Sequence, residues 1–398
     1  MTITTRLLLS LLSLVLASGC ATPPPAPAPV PQATDLFSDA SFKVPARPVR
    51  TDQLFALSSA MKAHLDSPAF RAQLRSAGPH QGLSDALYKK GDLKLLYDAE
   101  ITRDAAATFA AKKGNCLSLI IMTAAFAKAL GLDVVFQAVE VEDQWSRNGN
   151  MYVASTHVNL SLPVRDDSQG PHVLRRTSLT IDFVPPEDSA RFLVQPIDEA
   201  TVVAMFLNNR AAEELAAGRI DDAYWFARAA IDKNRSYVAA YNTLGVIYQH
   251  RGQFALAERV YKRALERERE DTIVMHNLVH VLARVGKAEE SRELAVRLAS
   301  IEPVSPFYYF QKGVKAMEQG RYQDAKLLFM REVQRSPYYH EFHFWLALAH
   351  LRLGETERAN AEMTRAIDTS TTDSATRLYS AKLAQLKSLA ADQRKRAY

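Results

Sequence analysis

Three residues of this chain have the types and the order of a thiol reaction centre: Cys116, His157 and Asp182. In such a centre a sulfur attacks a carbonyl carbon, an imidazole carries the proton, and a carboxylate orients the imidazole. The local setting of each residue fits. Cys116 follows Gly114, a helix breaker, and Asn115, a good N-cap, and it opens an almost wholly apolar run to Leu130. It therefore stands in the first turn of a buried helix that Gly131 ends. Unpaired backbone N–H groups there favour a thiolate and can hold a developing oxyanion. His157 and Asp182 lie in strand-like runs, Met151 to Leu162 and Thr177 to Val184. Antiparallel pairing of those runs sets them side by side, opposite the start of the helix. His172 competes as the base, and Asp166 and Asp167 as the acid, but all three lie in polar, loop-like sequence. Taken singly, a cysteine in an apolar helix also reads as core, and a mid-strand histidine as a satisfied structural residue.

Gly114-Asn115-Cys116-Leu117-Ser118-Leu119, Gly131-Leu132, His157-Val158-Asn159 and Ile181-Asp182 resemble the transglutaminase-like branch of the papain-type superfamily, over about residues 60 to 190. The resemblance implies an α+β domain over 51–200, with a central helix packed on an antiparallel sheet. It implies Cys116 as nucleophile, His157 as general base and Asp182 as its orienter. The implied reaction is on a peptide or protein amide bond, by hydrolysis or by acyl transfer through a thioester, without cofactor. The side-chain oxyanion donor of such enzymes has only two candidates here, Asn115 and Gln144. Trp145, in the segment Glu142 to Asn150, either roofs the cleft or plugs a loop. No His-Glu-x-x-His motif and no histidine–cysteine cluster occurs, so no metal site is expected.

The back half follows a different rule. Gly218, Gly252, Gly286, Gly320 and Gly354 are spaced 34 residues apart. A fixed period of that length marks helix–turn–helix units that bury their apolar faces by stacking. With the glycine as position 15, position 20 reads Ala223, Ala257, Ser291, Ala325 and Ala359, and position 24 reads Ala227, Tyr261, Ala295, Phe329 and Met363. Position 8 holds glycine at Gly245 and Gly313, but Ala211 and Val279 in units one and three. Tyr241, Leu244-Gly245, Tyr248, Gly252, Ala257, Tyr261 and Ala264 resemble the tetratricopeptide repeat. Five units over 204–373 are expected, with a capping helix over 374–398 that is apolar at Leu378, Leu383 and Leu386. The concave groove of such a solenoid is expected to hold an extended peptide or a partner helix, here at Asn242, Gln249, His276, His280 and Phe310. Aromatics crowd the junction of the last two units, as packing or as exposed stacking surface.

The first residues read as a secretion signal rather than as fold. Arg6 precedes the apolar run Leu7 to Leu16, which is too short to span a bilayer, followed by Ala17-Ser18-Gly19-Cys20. Small residues before a cysteine resemble the bacterial lipobox, which implies a signal over 1–19 and lipid on Cys20. An ordinary signal with a coincidental cysteine is the alternative. The Pro/Ala-rich stretch after it favours extended polyproline II and makes 20–50 a stalk or linker. Ala21 after the cysteine resembles lipoproteins sent to the outer membrane, facing the periplasm. If Cys20 is acylated, Cys116 is the one thiol left of two cysteines. The net charge is +5, and no block of like charges occurs, so nucleic acid is not an expected partner. The expected protein is a lipid-anchored envelope protein in two modules. It is either a thiol enzyme with a substrate-selecting array or a non-catalytic adaptor.

Overall fold

A computed structural model describes residues 33–45, 48–89, 93, 95–140, 145–148, 151–154, 157–164, 177–182, 193–370 and 372–396. The expected signal, Cys20, Gln144, Asp166, Asp167 and His172 lie outside them. The first part is small and mixed. Helices α1 (Ser59–Asp66), α2 (Pro68–Ala77) and α3 (Pro79–Ser84) start at serine caps or prolines, and α4 (Ala105–Ala111) at the Asp104 cap. The helical spacing from Gln53 leads one to expect an earlier start; the chain turns first and becomes helical only at the Ser58 cap, whose side chain accepts from Met61 N–H at 3.2 Å.

Helix α5 (Cys116–Ala129) is the centre of this part, buried from Leu117 to Ala127. It packs on β6 of a four-stranded antiparallel sheet ordered β7-β6-β3-β8. These strands are β3 (Val135–Glu140), β6 (His157–Val164), β7 (Thr177–Ile181) and β8 (Leu193–Ile197). A two-residue parallel pair, β1 (Leu96–Tyr97) with β2 (Lys113–Gly114), leads into α5. The strand-like run from Met151 divides in two. Its first part, β5 (Met151–Ala154), makes a hairpin with β4 (Trp145–Asn148), and its second part is β6. The proline-containing sequence before Thr201 reads as a short link between the modules, but around Pro196 the chain forms β8. Proline is tolerated there because β8 is the last strand of the sheet among the described residues.

The second part is five antiparallel helix pairs: α6 (Glu199–Ala216) with α7 (Ile220–Lys233), α8 (Val238–His250) with α9 (Phe254–Leu265), α10 (Thr272–Arg284) with α11 (Ala288–Ile301), α12 (Tyr308–Glu318) with α13 (Tyr322–Arg335), and α14 (His340–Arg352) with α15 (Thr356–Asp368). Each pair turns at one of the spaced glycines, with φ between 72° and 82°. At the first turn Gly218 N–H donates to the Leu215 carbonyl at 2.9 Å and Arg219 N–H to that of Glu214 at 2.8 Å. This left-handed cap favours glycine because a Cβ is strained there. Helix α16 (Asp373–Arg396) covers the last pair through Tyr379 and Leu383, whereas Leu378, expected on that face, is half exposed.

Positions 8 and 24 face each other across the helix pair, and in units two and four the contact is close enough to require glycine at position 8. A Cβ on Gly245 would stand 2.3 Å from the Tyr261 ring, and one on Gly313 would stand 2.5 Å from the Phe329 ring. Units one and three, with Ala211 and Val279 at position 8, carry alanine at position 24, Ala227 and Ala295, whereas unit five sets Ala347 against the flexible Met363. The helices of a pair cross so closely that only one partner can be large.

Residues 33–45 form a strap on the array rather than a free stalk. Leu36 and Phe42 are buried, and the Phe42 ring stacks on Tyr224 with centroids 3.9 Å apart. Tyr248 donates to the Leu36 carbonyl at 2.7 Å, and Trp225 donates to that of Lys43 at 2.7 Å. Leu36, Phe37 and Phe42 supply the apolar area that the preceding Pro/Ala run lacks.

Candidate functional site

Strand register brings the histidine and the acid together. β6 and β7 pair Leu160 with Ile181, so the next step sets Asp182 across from Asn159. His157 and Asn159 are two residues apart on one strand and share a face. Accordingly His157 Nε2 lies 2.6 Å from Asp182 Oδ1, and Asn159 Nδ2 donates to Asp182 Oδ2 at 3.0 Å. The carboxylate is gripped by both oxygens. The imidazole is almost fully buried and also meets the Cys116 thiol. Burial alone pushes the imidazole down. The Asp182 hydrogen bond, and then the thiol, overcome it and raise His157 to about 9. At neutral pH a protonated imidazole therefore stands beside the sulfur.

Cys116 itself is partly exposed, at the first residue of α5. The turn before it is held tightly. Asn115 Oδ1 accepts from Ser118 N–H at 2.9 Å and from Ser118 Oγ at 2.7 Å, and Asn115 Nδ2 donates to Thr102 Oγ1 at 2.8 Å. This corrects the expectation for Asn115 as an oxyanion donor: its side chain is the helix cap and is engaged at both ends.

Another polar side chain meets the Cys116 thiol, and sequence reading missed it. Tyr97 is paired with Gly114 across β1 and β2. Its hydroxyl lies against both the Cys116 thiol and the Cys116 backbone N–H, while the ring remains nearly half exposed, at 45%. Burial of the hydroxyl, and then the neighbouring sulfur, hold it protonated well above the usual phenol range, with its oxygen accepting from the Cys116 N–H. The only signal in the sequence is the exposed-looking Leu96-Tyr97 pair, and no spacing rule connects it to position 116. Asp98, next in the chain, fixes this strand. Its N–H donates to the Gly114 carbonyl at 3.0 Å, and its buried carboxylate takes Arg103 at 3.2 Å and Lys113 at 3.1 Å. Burial favours the neutral acid, but the Glu100 N–H and the two cations outweigh it and hold Asp98 below its usual range.

The array touches the same loop from both of its ends. Thr102 N–H donates to Glu213 Oε1 of α6 at 2.7 Å, and Ser374 Oγ of α16 donates to Glu100 Oε1 at 2.7 Å. The hairpin strand β5 lies against α8 and α10, the first helices of units two and three. The groove expected to take a partner at Asn242 and His276 is therefore met, in this stretch, by the chain's own hairpin. Asn242 is buried and accepts from Asn277 at 2.8 Å; His276 lies 3.3 Å from Glu302. Gln249 donates to the Tyr261 hydroxyl at 2.6 Å, within its own unit, while His280 is exposed. Phe310 is not a groove residue. It is buried among Phe307, Phe329, Phe342 and Trp345, so that aromatic cluster is packing between units. Among the described residues no group of histidine, cysteine and carboxylate side chains is arranged to hold a metal, and no helix is long and apolar enough to cross a membrane.

Comparison with known proteins bears on the second part of the chain. Residues 238–271 match the tetratricopeptide repeat family. The chain is 30% identical over 139 residues to the heat shock protein sti1 homolog of Schizosaccharomyces pombe, a match over 33% of this chain and 22% of that protein. It thus spans about a fifth of the length of the curated relative it matches. Among solved structures it is similar to YrrB, described as a TPR protein with an unusual peptide-binding site, at 18% identity and TM-score 0.25, over 45% of this chain and 92% of that one. It is also similar to the APC/C Cut9–Hcn1 hetero-tetramer at 14% identity and TM-score 0.28, over 46% and 37%. The helical array of this chain is built of tetratricopeptide repeats.

Proposed function

We propose that this chain is an adaptor that holds protein segments on its repeat array, tethered to a bacterial envelope membrane by lipid on Cys20. The observation that carries the reading is the array itself, five stacked helix pairs with a strict period and a family match in the second unit. A solenoid of this kind presents long surfaces along its stacked helices and needs no chemistry of its own. The small-residue run before Cys20 and the Pro/Ala stretch after it support the tether. The test is replacement of Cys116 by alanine in the full chain. An adaptor captures the same partners with the variant and restores a deletion phenotype in full. Loss of rescue with unchanged capture moves the function to the sulfur.

One observation favours a second reading, a transglutaminase-like thiol centre: the 2.6 Å contact of His157 with Asp182, beside Cys116. In this reading the Cys116 sulfur bonds to an amide carbonyl carbon, and the C–N bond breaks. The His157 proton goes to the leaving nitrogen. Water or an amine then displaces the sulfur from the thioester. The Tyr97 hydroxyl, which meets the Cys116 thiol and its N–H, faces the developing oxyanion. Tyr97→Phe tests that last role. Acylation of Cys116 by p-nitrophenyl acetate is expected to slow by roughly 10-fold to 100-fold, toward the loss seen when one oxyanion donor is removed. Alkylation by iodoacetamide, which forms no oxyanion and reports only the loss of the hydroxyl's contact with the sulfur, is expected to change less than acylation. Equal effects on the two reagents would rule the role out.

A further inference from the structure

The strap shows what one face of the array binds, and the same face recurs, open, three units later. Residues 33–45 lie across the second helices of units one and two, α7 and α9. Their apolar side chains sit between cations: the Arg228 guanidinium is 3.0 Å from Asp39 and 4.9 Å over the Phe37 ring, and Arg263 lies 3.5 Å from Asp35. Trp225 donates to the strap backbone. Adding three periods of 34 residues to Trp225, Arg228 and Arg263 gives Leu327, Met330 and Arg365. These three line an open groove of about 460 Å³ between α13 and α15, with Arg331, Gln334 and Glu362 beside them. Leu327 and Met330 are 53% and 49% exposed, a cost in water that a covering apolar side chain removes.

We propose that the α13–α15 groove is a second docking site of the strap's kind, taking in trans a short segment of a partner protein that carries aliphatic or aromatic anchors flanked by carboxylates. Two differences from the strap site set its preference. Position 21 is Lys326, paired to Glu355 at 2.8 Å, where the strap site has the Tyr224 platform, so no ring is stacked from below. Position 25 is Met330 in place of Arg228, which makes the floor more apolar and adaptable. Arg331 and Arg365 leave one positive charge in excess of Glu362 at the rim, which suits an acidic residue in the ligand. The site rests on the adaptor reading, whose partner class it specifies, and its lining comes mainly from second helices, whereas β5 meets first helices.

The probe is a fluorescent peptide of this chain's own residues 33–45, titrated into the full chain. Binding is expected, and Leu327→Asp with Met330→Asp is expected to weaken it by about 10-fold or more, because exposed anchors at an interface carry most of the affinity. Arg365→Ala is expected to weaken it by roughly 3-fold, as for a rim charge. A peptide with Leu36, Phe37 and Phe42 replaced by alanine is expected not to bind. All three groove residues are partly or half exposed, so these variants keep the fold. No binding at millimolar peptide overturns the proposal. So does binding that ignores Leu327 and Met330 but falls in Trp225→Ala with Arg263→Ala, which would mean exchange at the strap's own site. Self-association of the full chain that Leu327→Asp abolishes would assign the groove to a second copy and overturn it as well. None of these outcomes depends on a cellular partner or on Cys116, so the adaptor reading fails or stands separately.

Discussion

In His157→Gln, alkylation of Cys116 by iodoacetamide at pH 7 is expected to fall by about 10-fold or more, the size of effect a buried charge beside a nucleophilic sulfur commands. The wild-type imidazole is raised to about 9 and is therefore cationic across the neutral range. Asp182→Asn is expected to act nearly as strongly, although it leaves both reacting groups in place. The hydrogen bond that the imidazole donates to Asp182 is the largest of the causes that offset burial, so its loss lowers His157 and reduces the cationic fraction at neutral pH. The pH profile separates this from simple unfolding. In the wild type the rate should change where the imidazole loses its proton near 9, and His157→Gln should lack that step. The sign for stability follows. A histidine raised on folding stabilises the fold fully below its unfolded value near 6.5, and that contribution disappears as pH rises through about 9. The fold around β6 should therefore lose stability over that window in the wild type and not in His157→Gln. A rate that is the same in all three proteins would mean that the sulfur and the imidazole do not act together. The site would then be packing alone.

The second large effect is predicted inside a repeat. Gly245→Val should destabilise the array by about 3 kcal/mol or more, since its Cβ alone would stand 2.3 Å from the Tyr261 ring and overpacked sites of this kind usually cost 1–3. Tyr261→Ala should cost about 3–5 kcal/mol on its own through the cavity it leaves. The two together recreate the pair that unit three already uses, Val279 with Ala295. The double variant should therefore be more stable than the sum of the singles by roughly 2 kcal/mol, a coupling expected only between residues in contact. Denaturant unfolding of the four proteins measures it. Strict additivity would mean that positions 8 and 24 do not share space.

The array was legible before any coordinates. Every unit repeats the same local problem, so five aligned glycines and five small residues at position 20 report one geometry five times, whereas the size match between positions 8 and 24 emerged only from the packed helices. Capping chemistry was equally legible: Asn115 before Cys116 and Gly131 after the helix are local devices, and each is found at its helix end. His157 and Asp182 were identifiable as ionisable residues within strands. Their contact required a register, and a slip of one residue would have turned one of them to the opposite face.

Other features had no local signature. Tyr97 reaches Cys116 only because a two-residue parallel pair lays Leu96–Tyr97 beside Lys113–Gly114, and such a short ladder is set by packing rather than by propensity. The strap, strand β8 and the hairpin on α8 and α10 are contacts between segments far apart in the chain. So are the hydrogen bonds by which Glu213 and Ser374 hold the 98–102 loop. The order of residues sufficed for what each segment does with its neighbours within one turn or one 34-residue unit, because those forces act at fixed short spacing. Which distant surfaces close on the sulfur, and which face of the array stays open, depended on burial of apolar area across the whole molecule, a term that only the assembled fold can allot.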